Sequence, residues 1–228
     1  METRVAFHEQ LEQLERQALE GLDMVVTTLE RTMEALEQQD VELAQMVVQD
    51  DDRLDGRYLE VHQGILSLLA RQAPVATDLR LVAALLDVIK HVERMGDQCV
   101  NIAKVIPLSG HEPSTDPTLM ETIVEMGRHA AVLVEQAKRA FAARDVALAE
   151  DLVVRDVTVN RLNRDCFRLA LEAGEDLDTR EWAMTMLLAA RNLERIGDNA
   201  VDIGEQTAFV VTGLFREFTD ASHPTAVH

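Results

Sequence analysis

Apolar residues recur at the start of the chain at Phe7, Leu11, Leu14, Ala18, Leu22, Val25, Leu29, Met33 and Leu36. Every step is three or four residues, the spacing that stacks side chains on one face of an α-helix. A single helix of about 45 Å is predicted between Phe7 and Leu36. Asp40 follows a polar Glu-Gln-Gln turn and predicts the N-cap of a second helix. That helix is expected to run to about Arg71 through Ala44, Val47, Leu54, Tyr58, Ile65 and Leu69. Pro74 breaks it. A third helix is predicted from Thr77 or Asp78 to just before Pro107.

The pattern then stops and restarts. Pro107-Leu-Ser-Gly-His-Glu-Pro-Ser-Thr-Asp-Pro117 holds three prolines and a glycine, and reads as a linker. A fourth helix is predicted over about Thr118–Ala142 and a fifth over about Asp145–Ala173, with Gly174 as its C′ stop. A sixth starts at Asp178, where Asp178 and Glu181 have capping-box spacing, and runs to about Phe218. The expected units are 1–108, a linker at 109–117, 118–218, and a frayed tail at 219–228.

The two halves align. Asp40-Val-Glu-Leu-Ala matches Asp145-Val-Ala-Leu-Ala at an offset of 105, and Asp51 and Leu54 then match Asp156 and Val159. Beyond the next turn the offset is 101, where Val92-Glu-Arg-Met-Gly-Asp-Gln-Cys-Val-Asn-Ile102 lies over Leu193-Glu-Arg-Ile-Gly-Asp-Asn-Ala-Val-Asp-Ile203. The change falls in a turn, where length changes are tolerated. The expected fold is all-α: six long helices in two tandem, homologous three-helix bundles.

The repeated block carries Glu93, Asp97 and Asn101 in one half and Glu194, Asp198 and Asp202 in the other, each four residues apart. Such residues form one ridge of a helix, and like charges there repel by a few tenths of a kcal/mol. The second helix of each half adds acids inside its own apolar stripe: Asp51 with Asp55, and Asp156 with Asn160. Neighbouring antiparallel helices let the ridges face each other. Two carboxylates about 5 Å apart repel by roughly 3 kcal/mol at an effective dielectric near 20, so the cluster asks for a cation. All-oxygen donors suit Mg²⁺, Mn²⁺, iron or Zn²⁺, singly or as several ions. The competing reading is a solvated acidic face. Gly96 and Gly197 recur inside these helices and predict close packing beside the ridges.

Composition narrows the function. With 22 Lys and Arg against 41 Asp and Glu, the net charge of −19 argues against nucleic acid and anionic lipid as partners. Apolar residues make up 47% of the chain, enough for a large core, while aromatics at 4% disfavour an all-β fold. No stretch is long enough to span a membrane, no signal peptide is visible, and two cysteines make no disulfide framework. A reduced, cytoplasmic protein is expected.

Two tandem units, each with Glu-Arg-hydrophobic-Gly-Asp, resemble the PhoU family, the accessory and regulatory proteins of the phosphate-specific transport system. The supporting segments are Ala76-Thr-Asp-Leu-Arg-Leu-Val82, Glu93-Arg-Met-Gly-Asp97 with Asn101-Ile-Ala103, and Glu194-Arg-Ile-Gly-Asp198. The resemblance covers about residues 5–215. It implies a homodimer that binds metal clusters through these motifs. It also implies a non-enzymatic role, restraining phosphate uptake and the phosphate-starvation response through the transporter ATPase and a sensor histidine kinase. The chain departs from the pattern at Thr179-Arg-Glu181, which replaces the Asp-Leu-Arg turn, and at Asn160 and Asn101, which replace acids.

The alternative is a metal-carboxylate enzyme or storage bundle, but no histidine makes the Glu-x-x-His of di-iron bundles. No Ser/His/Asp set and no Gly-rich phosphate loop is present, so neither a catalytic nor a cofactor-binding residue is expected. His62 pairs by the repeat with Phe167 and reads as a packed histidine; Cys99 pairs with Ala200 and reads as a small packed residue. His129 follows Glu125 by four residues, and Arg94 and Arg195 read as surface ion-pair partners.

Overall fold

The computed structural model describes residues 2–108, 117–174 and 176–218. Among them every regular element is helical: α1 (Glu2–Gln38), α2 (Val41–Gln49), α3 (Asp51–Arg71), α4 (Thr77–Val105), a 3-10 turn at Ile106–Leu108, α5 (Thr118–Ala143), α6 (Val146–Glu172) and α7 (Leu177–Thr212). Of the expected linker only Pro117 is described, and the expected tail at 219–228 lies outside the described residues.

All nine positions of the first apolar stripe are buried, from Phe7 to Leu36. The turn that follows α1 is repeated almost atom for atom after α5. Gln39 and Arg144 both take a left-handed φ, and the next residue returns its N–H to Ala35 and Ala140 respectively. Asp40 then caps α2 by accepting from the Leu43 N–H at 2.9 Å, as Asp145 caps α6 by accepting from the Leu148 N–H at 3.0 Å. The repeat is therefore structural as well as sequential.

Three boundaries differ from expectation. The second rod breaks at Asp50, whose carboxylate accepts from Arg31 of α1 at 2.6 Å, and restarts with Asp51 and Asp52 in its first turn, where acids favour the helix N-terminus. Leu54, Val61, Ile65 and Leu68 are buried and continue the stripe of Ala44 and Val47, while Tyr58 and Leu69 are half-buried. The last helix is capped by Asp176, not Asp178, with Asp176 accepting from the Thr179 N–H at 2.8 Å. It ends at Thr212 rather than near Phe218 because Gly213 adopts φ 76, the left-handed stop that Gly174 does not supply.

Within the first half α1 packs on α3 and α4; within the second, α5, α6 and α7 pack on one another. The halves join through α4 against α7, the most extensive helix contact, and through α1 against α5. Gln98 and Asn199 are equivalent in the repeat, and the Asn199 amide donates to Gln98 across this joint at 3.4 Å. Equivalent residues meeting each other is the signature of a two-fold relation between the halves. One continuous apolar core runs through both.

Candidate functional site

The two acidic ridges lie where α3 meets α4 and where α6 meets α7. Gly96 and Gly197 set that approach. A Cβ added at Gly197 would stand 2.5 Å from Asp156 Oδ1; at Gly96 it would stand 2.8 Å from Leu54 Cδ1 and 3.6 Å from Asp51 Oδ1. The close packing predicted beside the ridges is thus present, with an acid at each contact.

In the first half Asp51, Asp55, Glu93 and Asp97 are brought together. Burial raises the Asp51 carboxyl above its ordinary range, and the charges of Asp55 and Asp97 raise it further against the pull of Lys104. Glu93 is raised by burial first, then by Asp97 and Asp55, with Arg94 opposing. Asn101 is exposed a turn beyond Asp97.

The second half is built differently. Asp156 and Asn160 are buried, at 3% and 2% exposure, and the Asn160 amide donates to Asp156 Oδ2 at 2.6 Å. Asp156, Asp198, Asp202 and Glu205 line a pocket of about 90 Å³ together with Val153, Val201 and Phe218. Glu194 is not among its lining residues; it is buried and paired with Arg191. Asp202 stands 3.6 Å from Nδ1 of His91, which also meets Asn199 at 2.7 Å.

Glu205 and Lys104 were missed by motif reading. Continuing the 101 offset one step past Asn101 and Asp202 pairs them, so the signal was in the register. At this end of the ridge the first half carries Asn101 and Lys104, whereas the second carries two acids. Glu205 accepts the Phe218 N–H at 2.6 Å; burial raises its carboxyl, that bond lowers it, and Asp202 raises it. The segment after α7 thereby folds over the second pocket.

The donor set fits a cation in chemistry. The acidic side chains offer oxygen donors, and the Asp51 and Glu93 carboxyls are raised first by burial and then by neighbouring acids, a repulsion that a positive ion would relieve. Among the described residues no group of three or more His, Cys, Asp or Glu side chains is arranged to hold a metal ion.

The remaining candidates fall elsewhere. Cys99 and Cys166 are buried, and burial pushes both thiols up to about 12. His62 is half-buried against Tyr58, while its repeat mate Phe167 is exposed at 57%, so it is not the core position the repeat suggested. His129 Nε2 lies 3.8 Å from Glu125 on the surface, and Arg94 and Arg195 are exposed.

Fold and site together define a tandem three-helix protein with one acidic ridge pair per repeat. A family model for the PhoU domain matches residues 19–106 and again 123–207, and the chain belongs to the PhoU family. It is 30% identical over 220 residues to the phosphate-specific transport system accessory protein PhoU homolog of Clostridium acetobutylicum, covering 96% of this chain and 100% of that one. To the homolog of Zymomonas mobilis it is 32% identical over 209 residues, covering 91% and 87%. Among crystal structures, PhoU from Pseudomonas aeruginosa superposes with a TM-score of 0.84 at 28% identity, over 91% of this chain and 100% of that one. The phosphate transport system regulatory protein PhoU from Streptococcus pneumoniae shares the fold, with a TM-score of 0.85 at 23% identity over 92% and 99%. These relatives are named as accessory and regulatory proteins, not as enzymes.

Proposed function

We propose that this chain is a metal-binding regulatory adaptor of phosphate homeostasis. It restrains phosphate uptake and the phosphate-starvation response by contacting the phosphate transporter ATPase and a sensor histidine kinase, as a cytoplasmic homodimer. The observation that carries this reading is the match of both repeats to the PhoU domain, with relatives named as accessory proteins of phosphate-specific transport. No described helix is long and apolar enough to cross a membrane, which suits a protein acting on a transporter from outside the bilayer.

Asp51, Asp55, Glu93 and Asp97 hold cations in the first half, with Asn101 as an accessory oxygen. Asp156, Asp198 and Asp202 do so in the second, joined by Glu205, with Asn160 and Glu194 on the same ridges. The bound ion supplies positive charge that cancels carboxylate repulsion and locks α3 to α4 and α6 to α7. Iron, Zn²⁺, Mn²⁺ and Mg²⁺ all suit these donors.

Deleting the gene should derepress phosphate-starvation genes in phosphate-rich medium, read with a transcriptional reporter. Normal phosphate control in the deletion strain would refute the regulatory role.

A further inference from the structure

A groove between α1 and α5 shares no residue with either acidic ridge. Its floor is Leu29, Met33, Val124, Gly127, Ala131 and Val132, and its volume is about 360 Å³. That lies in the range of ligand clefts, about 300–1,000 Å³. Val132 is 43% exposed. A Cβ at Gly127 would come within 2.8 Å of the Met33 side chain, so the glycine makes room for this methionine, which is 9% exposed. Methionine is polarizable and conformationally adaptable, which suits a surface that receives apolar side chains.

The rim is acidic. Glu30, Glu34 and Glu37 form one edge at helical spacing, Glu135 stands on the other, and among the described residues Arg128 is the one cation lining the groove. All four glutamates are exposed. Among the described residues none of them takes part in an ion pair; Glu34 accepts a long bond from Gln38 at 3.4 Å. Further along, the same two helices are bridged by Lys138 on Asp23 at 2.5 and 2.7 Å. An apolar floor between unpaired carboxylates is complementary to a helix with an apolar face flanked by Lys and Arg.

We propose that the α1–α5 groove docks a basic amphipathic helix of a partner protein, its apolar side chains on Met33 and Val132 and its cations over Glu30, Glu34, Glu37 and Glu135. This rests on the adaptor reading and names the surface through which the adaptor engages a partner.

The test uses the full chain and a fluorescein-labelled Leu/Lys amphipathic peptide of about five helical turns, followed by polarisation at low and moderate salt. The triple variant Glu30→Lys, Glu34→Lys, Glu37→Lys should bind roughly tenfold or more weakly. Glu12→Lys, Glu42→Lys, Glu150→Lys changes net charge equally at exposed sites off the groove and should bind like the parent. Val132→Asp adds an acid while removing the apolar contact, so a loss of binding marks docking on the floor and a gain marks bulk attraction. Melting curves confirm that each variant folds. Equal loss in the two triple variants, tighter binding by Val132→Asp, or equal binding of a scrambled peptide of the same composition would overturn the proposal. Cells separate the two readings. If deletion derepresses phosphate-starvation genes and the groove triple variant restores full control, the groove proposal fails and the adaptor reading stands. If deletion leaves control intact, the adaptor reading fails and the peptide measurements alone decide the groove.

Discussion

Asp51 sits against an apolar neighbour, near three other acids, with its carboxyl raised by burial and by those charges. A carboxyl whose folded pKa exceeds its unfolded value leaves the folded state holding the proton longer. Metal-free stability therefore falls as pH rises from the ordinary carboxyl range near 4 through the raised folded range. Asp51→Asn removes that loss. In chelator at pH 7 the variant should melt above the parent, and the gap should close as pH drops through that window. With metal added the order should reverse, because the variant has lost a ligand. Scanning calorimetry across pH checks both signs; a variant less stable than the parent in chelator at pH 7 would mean that Asp51 is a structural acid. The spacing alone revealed that an acid interrupts the stripe, but not how deeply each is buried. Asp156 is sealed in while its repeat mate Asp51 is half-buried, and Asn160 is sealed in while its mate Asp55 is exposed.

At the scale of the helix, glycine decides how near the ridges come. Gly→Ala inside a helix gains about 1 kcal/mol in propensity. At Gly56, where an added Cβ meets nothing within 4 Å, that gain should appear as about 0.5–1 kcal/mol of stability. At Gly197 the added Cβ meets the Asp156 carboxylate at 2.5 Å on a packed helix face, and overpacking of this kind costs about 1–3 kcal/mol. Gly197→Ala should therefore destabilise by about 1–2 kcal/mol and weaken metal binding in the second half. Denaturant melts of the two variants test the contrast; a stabilising Gly197→Ala would show that α6 and α7 are not in tight contact there. Helices and their caps were largely legible because apolar period and Asp caps are local signals, and α1, α5 and the Asp40 and Asp145 turns follow them. The break at Asp50 was not, since its equivalent in the second half lies inside the unbroken α6 and the Arg31 contact to its carboxylate comes from another helix. The early stop of α7 was hidden for a related reason: Gly213 interrupts a run whose apolar residues continue through Phe215, which stacks back on Phe209 at 3.9 Å.

Across the whole molecule the duplication gives two ridges of the same origin and different chemistry. The first is open and keeps Lys104 beside it; the second is a small pocket with Glu205 and with Phe218 over it. The register of the repeat predicted both ridges, but the folding-back of residues 214–218 is a tertiary event with no periodic trace in the chain. Their action as cation sites is tested most directly by the metal-dependent melting temperature of the parent and of the double variant Asp97→Ala, Asp198→Ala, both purified without chelator. A ligand at 100 times its Kd stabilises by about 2.7 kcal/mol, which for a chain of this size is a rise of roughly 5–10 °C. The parent should show that rise on addition of metal after chelation, and the double variant should show none. An equal rise in both, or no rise in the parent with any of iron, Zn²⁺, Mn²⁺ and Mg²⁺, would contradict the assignment.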